Sequence, residues 1–108
     1  MKLGKKITYS IAIFNEDGGI TSRQVEGLEI APGLAVRKEG EKFLRQWKVD
    51  HVPTGGYLLA CETRKHAIEV VRQLAPLWNW TKQEMPKRNT EAYQKIKEIL
   101  INNGRHII

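Results

Sequence analysis

The stretch 46-QWKVDHVPTGGYLLACETRKH-66 decides the fold of the second half of the chain. It contains two strand-like runs, QWKVDHV and YLLAC, with PTGG between them. Pro53 lacks the N–H that a strand ladder needs, while Gly55 and Gly56 tolerate the backbone angles of a tight turn. The stretch therefore predicts a β-hairpin whose second strand leads into a helix.

Strand patterns also fill the chain before this hairpin. Residues 6–14, KITYSIAIF, place isoleucine and tyrosine at every second position, which is the period of a half-buried strand. Asp17 and Gly18 supply a hairpin turn, so we expect a returning strand over about residues 20–25.

Further strands follow, separated by glycine and proline. EGLEIAPG predicts a short connection, and the strand Leu34–Lys38 comes after it. A turn at 39-EGE-41 then leads into the longest predicted strand, residues 42–52. Its alternation places Trp47, Val49 and His51 on one face and Lys48 and Asp50 on the other.

After residue 61 the apolar side chains change to a helical period. Thr63 is the predicted N-cap of an amphipathic helix over about residues 64–77, whose apolar stripe we expect on the sheet. Trp78 and Trp80 are expected to fold back over the core. A C-terminal helix is predicted over about residues 90–103, with Thr90 as its N-cap.

These patterns together predict a single domain, residues 1–108, of the α+β class. An antiparallel, meander-like sheet of about five strands occupies about residues 5–61. One helix packs on this sheet, and the C-terminal helix follows.

The charge of the chain points to an anionic partner. Lys and Arg number 18 and Asp and Glu number 12, which gives a formal net charge of +6. Such a surface attracts phosphate polymers over a long range, so nucleic acid is the leading partner class. The basic residues are dispersed along the chain, however, and a need for solubility alone predicts the same composition.

Composition and motifs argue against other classes of protein. No apolar run approaches the roughly 20 residues that a membrane helix needs, and MKLGKKITYS lacks the apolar part of a secretion signal. We therefore expect a cytoplasmic protein without membrane contact. Cys61 is the only cysteine, so no internal disulfide can form and no thiolate cluster can hold a structural zinc.

Candidate catalytic and metal-binding residues are few. His51, Cys61 and His66 are fewer than the four ligands of a closed structural zinc site. Cys61 lies in the apolar run LLAC, which is typical of a buried cysteine. Neither DGG nor TGG matches a phosphate-binding loop. We expect no enzymatic activity, no metal and no cofactor, and the sequence shows no small-molecule site.

Basic and aromatic side chains interleave in the long predicted strand and its neighbours. A sheet face of this kind can guide a phosphate backbone past cations while bases stack on aromatic rings. The predicted nucleic-acid-binding residues are Lys42, Arg45, Lys48, Tyr57, Arg64 and Lys65. Trp47 is expected in the core with Val49, because large aromatic side chains in a small domain are mostly buried. Alternation then places Lys42 and Lys48 together on the solvent side, away from Arg45.

The segment WKVDHVPTGGYLL followed by TRKHAIEVVRQLAPLWNW resembles a pattern in small uncharacterised bacterial proteins of phages, plasmids and integrated elements. In that pattern a tryptophan strand ends in a W-x-V-x-H-x-P-[ST]-G turn, and a helix closed by tryptophan follows. The resemblance covers roughly residues 47–80 and implies a mobile-element context. At the level of fold, the order of strands and helix is also similar to half of a Whirly-type single-strand-binding domain.

The sequence thus predicts a non-catalytic nucleic-acid-binding protein of phage or mobile-element type, with single strands among the candidate ligands. The alternative is a small protein-interaction or regulatory module, an adaptor or an inhibitor, that binds an acidic protein partner. The choice between DNA and RNA and the question of a homo-oligomer stay open.

Overall fold

The computed structural model describes residues 4–39 and 46–104. The elements follow in the order β1 (Lys5–Phe14), β2 (Ile20–Ala31), β3 (Leu34–Lys38), β4 (Trp47–His51), β5 (Gly56–Cys61), α1 (Arg64–Leu74), a 3-10 turn (Ala75–Leu77) and α2 (Glu91–Asn102). The strands form one antiparallel sheet in sequence order. This arrangement confirms the predicted α+β class and the predicted meander.

The second strand differs most from the sequence prediction. β2 has 12 residues and pairs with β1 over residues 20–29 and with β3 over residues 28–31, where a β-bulge lies between Glu29 and Ala31, so the expected short connection is strand instead. Gly27 does not mark a turn. A Cβ atom at this position would lie 2.8 Å from the carbonyl oxygen of Val36 and 3.0 Å from the hydroxyl of Tyr9, so close packing requires the glycine.

The strand predicted over residues 42–52 is described only in part. β4 begins at Trp47, and residues 42–45 of that prediction lie outside the described residues. The longest strand that the structure describes is β2 rather than β4. The hairpin between β1 and β2 turns as predicted, with Gly18 at a positive φ of 86°.

The main core lies between the sheet and α1. Thr63 caps α1 by accepting a hydrogen bond from the backbone N–H of His66 at 3.1 Å, as predicted. The helix ends at Leu74, three residues before the predicted end, because Pro76 continues the chain as a 3-10 turn. The face of the sheet that α1 covers carries Leu34, Val36, Val49 and Leu59, and we call it the helix face.

The last part of the chain closes this core. Trp80 is only 2% exposed, and Trp78 is half-buried against the same cluster, as the sequence predicts. Thr90 caps α2 by accepting a hydrogen bond from the backbone N–H of Tyr93, and α2 buries Ile96 and Leu100. No helix in the described part of the chain is long and apolar enough to span a bilayer.

The sheet curls so that β1 approaches the start of β5. The backbone N–H of Ala12 donates to the carbonyl oxygen of Gly55 at 3.0 Å, although β1 and β5 lie at opposite ends of the strand order. The curl encloses part of the face opposite α1, which we call the inner face and which carries Tyr9, Ile11, Ala35, Arg37 and Asp50. Asp50, expected on a solvent-exposed face with Lys48, is therefore completely buried.

Candidate nucleic-acid interface

The turn between β4 and β5 is fixed by His51. Its side chain is completely buried, with Nε2 at 2.8 Å from the carbonyl oxygen of Trp80 and Nδ1 at 2.8 Å from Oγ1 of Thr54. Because a carbonyl can only accept, the proton lies on Nε2, and the Thr54 hydroxyl donates to Nδ1. Burial lowers the pKa of His51 below its ordinary value of 6.5, so the neutral ring is favoured.

The glycines around this turn bring backbone segments into close contact. Gly55 has a φ of 70°, and a Cβ atom there would lie 2.7 Å from the carbonyl oxygen of Ser10. Gly56, which the sequence also placed in the turn, does not have a positive φ. At Gly33 a Cβ atom would lie 2.1 Å from the carbonyl oxygen of Trp80. The histidine-containing turn is thus structural, and it joins the sheet to the segment after α1.

A buried polar group occupies the inner face. The hydroxyl of Tyr9 donates to Oδ2 of Asp50 at 2.7 Å, and Nε of Arg37 donates to the same oxygen at 2.5 Å. Burial, followed by the charge and hydrogen bond of Asp50, raises the pKa of Tyr9 far above its ordinary value. Within the described residues, Oδ1 of Asp50 has no hydrogen-bond partner.

This buried group continues to the surface through Glu39. Nη1 of Arg37 lies 3.1 Å from Oε2 of Glu39, and Nη2 of Arg23 lies 2.7 Å from Oε1 of the same carboxylate. Burial tends to raise the pKa of Glu39, but the hydrogen bond from Arg23 and the charge and hydrogen bond of Arg37 lower it. Burial also opposes the charge of Arg37, yet its hydrogen bond with Asp50 and the charge of Asp50 raise its pKa. Both side chains stay ionised near neutral pH.

This group of buried and partly buried polar side chains was not predicted from the sequence. It consists of Arg37, Glu39, Arg23 and Tyr9, together with Asp50. Their contacts link four strands and depend on the register and curl of the sheet, which no local pattern reports. The sequence gives only a weak sign that these charged side chains are buried. Arg37 directly follows the apolar run LAV, and Asp50 follows the apolar residues Trp47 and Val49 in β4.

Two of the predicted binding residues meet on the inner face. Nζ of Lys48 lies 5.0 Å from the ring centroid of Tyr57, within cation–π distance, and Tyr57 is 55% exposed. Lys48 is also the cross-strand partner of Arg37. The inner face thus presents an accessible aromatic ring with one cationic side chain, Lys48, at cation–π distance.

The other predicted binding residues divide into two sets. Lys42 and Arg45 lie outside the described residues. Arg64 and Lys65 are exposed in the first turn of α1, which covers the helix face rather than the inner face. Trp47 packs against the main core on the helix face, as expected.

Trp47 also lines a shallow groove at the margin of the helix face. The groove has a volume of about 270 Å³, and its charged lining residues are Lys6, Glu26, Arg37 and Lys38. Lys38, Trp47 and Cys61 are cross-strand neighbours at one end of the sheet, and α1 begins three residues after Cys61. We call this edge, where β3 and β5 end and β4 begins, the basic end of the sheet.

The remaining candidates for chemistry give no comparable arrangement. Cys61 is buried, and Nε2 of His66 lies 3.0 Å from Oδ1 of Asn103. Among residues 4–39 and 46–104, no three His, Cys, Asp or Glu side chains are placed to hold a metal ion. In comparisons with known proteins, no family model, no curated protein and no solved structure matches the chain. The candidate site is therefore defined by its geometry alone.

Proposed function

We propose that the protein binds nucleic acid without catalysis, as a cytoplasmic protein, through the inner face and the basic end of the sheet. The observation that carries this proposal is the exposed ring of Tyr57 with Nζ of Lys48 at 5.0 Å from its centroid. Bases stack on such rings, and neighbouring cations neutralise the phosphates.

Single strands fit this arrangement better than a duplex does. A duplex hides the faces of its bases, whereas an unpaired strand can place one base on Tyr57 and its phosphates along Lys48 and the basic end. Stacking on an aromatic side chain contributes about 1–3 kcal/mol per base. The net charge of +6 supplies the long-range attraction.

The mobile-element context implied by the sequence resemblance is part of this proposal. A small protein of a phage or plasmid that binds single strands would act where replication or repair exposes them. Genes for such steps beside this one would support the assignment.

The charge of the sheet face is tested with the double variant Lys42→Glu and Lys48→Glu. Fluorescence anisotropy with a labelled single strand measures affinity over a range of salt concentrations. For the parent we expect log K to fall with log salt by about 0.7 per phosphate contacted, and the double variant should weaken binding and flatten this slope. Its melting should stay nearly unchanged, since surface charges contribute little to stability.

A second pair of variants separates stacking from general exposure of aromatics. Tyr57→Leu should reduce affinity for a single strand by roughly fivefold or more, which corresponds to the loss of one stacked base. Phe14→Leu is the matched control, because Phe14 is also an exposed aromatic, at 77%, but lies at the β1–β2 hairpin. Equal effects of the two changes, or unaltered binding by the double lysine variant, would remove the inner face as the site.

One observation favours a second candidate function, a protein-interaction module. Phe14 and Ile20 are 77% and 66% exposed and face each other across the β1–β2 hairpin. Exposed apolar pairs of this kind often contact another protein. This candidate replaces the first if two results are obtained together. The parent shows no measurable affinity for nucleic acid, and the double variant Phe14→Ser and Ile20→Ser no longer captures a protein partner that the parent captures.

A further inference from the structure

We propose that Arg23 and Arg37 form a phosphate-binding site that Glu39 occupies in the free protein. This two-arginine site lies at the basic end of the sheet, so the inference rests on the proposed function and extends it. A phosphate of the bound strand would take the position of the Glu39 carboxylate.

The first argument is the geometry around Glu39. Two guanidinium groups from different strands reach its two oxygens separately, Arg23 at 2.7 Å and Arg37 at 3.1 Å. Arginine donates to phosphate oxygens in the same forked manner in which it donates to carboxylate oxygens. The carboxylate therefore marks a position where an anion with two accepting oxygens fits.

The second argument is that Arg37 is fixed in advance. Its side chain is only 5% exposed, and Asp50 holds its Nε, so the direction of Nη1 does not depend on Glu39. A donor that is already oriented loses little conformational freedom when an anion binds. Arg37 thus supplies the rigid half of the site.

The third argument is that Glu39 can leave at little cost. Its side chain is 38% exposed and lies just beyond the end of β3, and that of Arg23 is 52% exposed. The partly exposed pair of Glu39 with Arg23 contributes little to stability, and a phosphate in place of Glu39 would keep the buried Arg37 paired. An arriving phosphate would also be attracted by Lys48, the cross-strand neighbour of Arg37, and by Lys38. Of the acidic side chains in the described residues, Asp50 binds Arg37 and Glu26 lines the same groove, and both oppose an anion there.

The first experiment uses inorganic phosphate as the probe. Glu39→Gln keeps an oxygen that can accept from Arg37 but removes the competing charge. We expect phosphate, compared with chloride at equal ionic strength, to raise the melting temperature of this variant by about 2–6 °C. Glu69→Gln removes an equal charge from the exposed pair with Arg72 on α1, away from the two arginines, and is the matched control, for which we expect no such gain.

The unmodified protein provides a second measurement, which does not depend on whether the Glu39→Gln variant folds. High phosphate should stabilise it slightly by displacing Glu39, and Arg23→Gln should remove this stabilisation. Adding Arg23→Gln to Glu39→Gln should remove the larger gain as well. An unresponsive Glu39→Gln variant, an equal gain in Glu69→Gln, or a gain that survives loss of Arg23 would each overturn the two-arginine site.

The second experiment uses a short single strand and identifies the source of the phosphate. Glu39→Gln should bind it roughly threefold to tenfold more tightly than the parent, with a salt slope steeper by about 0.7 for one added phosphate contact. A strand that binds while inorganic phosphate has no effect would refute the site and keep the proposed function. The reverse result would keep a site for free phosphate and remove nucleic acid as its ligand.

Discussion

The two faces of the sheet are stabilised in different ways. The helix face is covered by α1 and buries aliphatic side chains such as Val36, Val49 and Leu59. Their burial is favourable whatever the relative orientation of the groups in contact, because the hydrophobic effect is non-directional. The inner face buries a small apolar cluster around Tyr9 beside an ionised pair, Arg37 and Asp50. The stability of the helix face therefore depends on how well its side chains fill the core volume, and that of the inner face on how its charged groups are paired.

The physical basis of this difference is what takes the place of a neighbouring group after a substitution removes it. An aliphatic side chain that loses a neighbour leaves a cavity, and the structure relaxes partly around it. A buried ion that loses its partner has nothing to replace it, since water does not reach it. Changes on the inner face should therefore be more severe when they remove one partner than when they remove the whole set.

The largest effect should come from breaking the pair on the inner face. Asp50→Ala leaves Arg37, 5% exposed, with its Nε uncompensated, and should lower the free energy of unfolding by about 3–5 kcal/mol. The triple variant Tyr9→Phe, Arg37→Met and Asp50→Leu should recover most of this loss. Urea unfolding measures both.

Leu59→Ala gives the corresponding value for the helix face, about 2–5 kcal/mol by cavity formation. No partner substitution should rescue it except one that refills the volume. A triple variant on the inner face as unstable as Asp50→Ala would mean that both faces depend on packing in the same way.

A smaller effect should come from the contact that curls the sheet. Gly55 and Gly18 both have positive φ, but a Cβ atom on Gly55 would meet the backbone of β1 at 2.7 Å, whereas one on Gly18 would have no atom within 4 Å. Gly18→Ala should cost only the backbone strain, about 1 kcal/mol. Gly55→Ala should cost about 1–3 kcal/mol in total, because it also pushes β1 away.

Thermal and urea unfolding of these two alanine variants check the difference. The Gly55 variant should also expose Tyr9, which the curl encloses, to solvent. Equal losses would show that the approach of β1 to β5 contributes nothing to stability, and the inner face would then be open in solution.

The smallest effect should be seen as a function of pH. The pKa of His51 is lowered in the folded protein, so the unfolded chain binds a proton first as the pH falls below 6.5. Stability should therefore decrease from pH 6.5 downward, by at most about 1.4 kcal/mol per pH unit, until the folded pKa is reached. The pKa of Glu39 is lowered from 4.5, so its contribution is lost only at more acidic pH.

The pH dependence thus reports the two faces in separate ranges. Urea midpoints measured from pH 8 to pH 3 should show the His51 range first. His51→Gln should remove the slope above pH 5 and keep the acid part. A parent whose stability is flat between pH 6.5 and 5 would contradict the burial of a neutral His51.

Much of the fold follows from local signals in the sequence. The caps Thr63 and Thr90, the strand Leu34–Lys38 and the turn at Gly18 are where the sequence predicts them, because each depends on a few neighbouring residues. β2 was missed in its second half, since its extension depends on pairing with two other strands.

The candidate site was predicted less completely, for the same reason. Lys48 and Tyr57 were both named from the sequence as binding candidates on adjacent strands of one hairpin, but their contact was not predicted. The convergence of Arg23 and Arg37 on Glu39 requires the register of β2 against β3, which sequence periodicity does not determine. Arg64 and Lys65 share a helix, but which end of the sheet they reach is a tertiary property.

The hydrogen bond between His51 and Trp80 also has a consequence for the order of folding. The five strands pair only with sequence neighbours, whereas His51 and Trp80 are separated by 29 positions and by all of α1. Contacts that close a long loop tend to form late, after the local hairpins have reduced the loop.

We therefore expect the meander to form in the folding transition state and the Trp80 segment to dock afterwards. Trp80→Phe removes the hydrogen bond from the indole N–H to the carbonyl oxygen of Leu74 and so weakens the docking of this segment. It should then accelerate unfolding and leave the refolding rate nearly unchanged, which stopped-flow measurements would show as a φ-value near zero. A refolding rate that falls in proportion to the lost stability would place this contact in the folding nucleus instead. Release of the Trp80 segment, which lies remote from the basic end of the sheet, would then set the kinetic lifetime of the native protein.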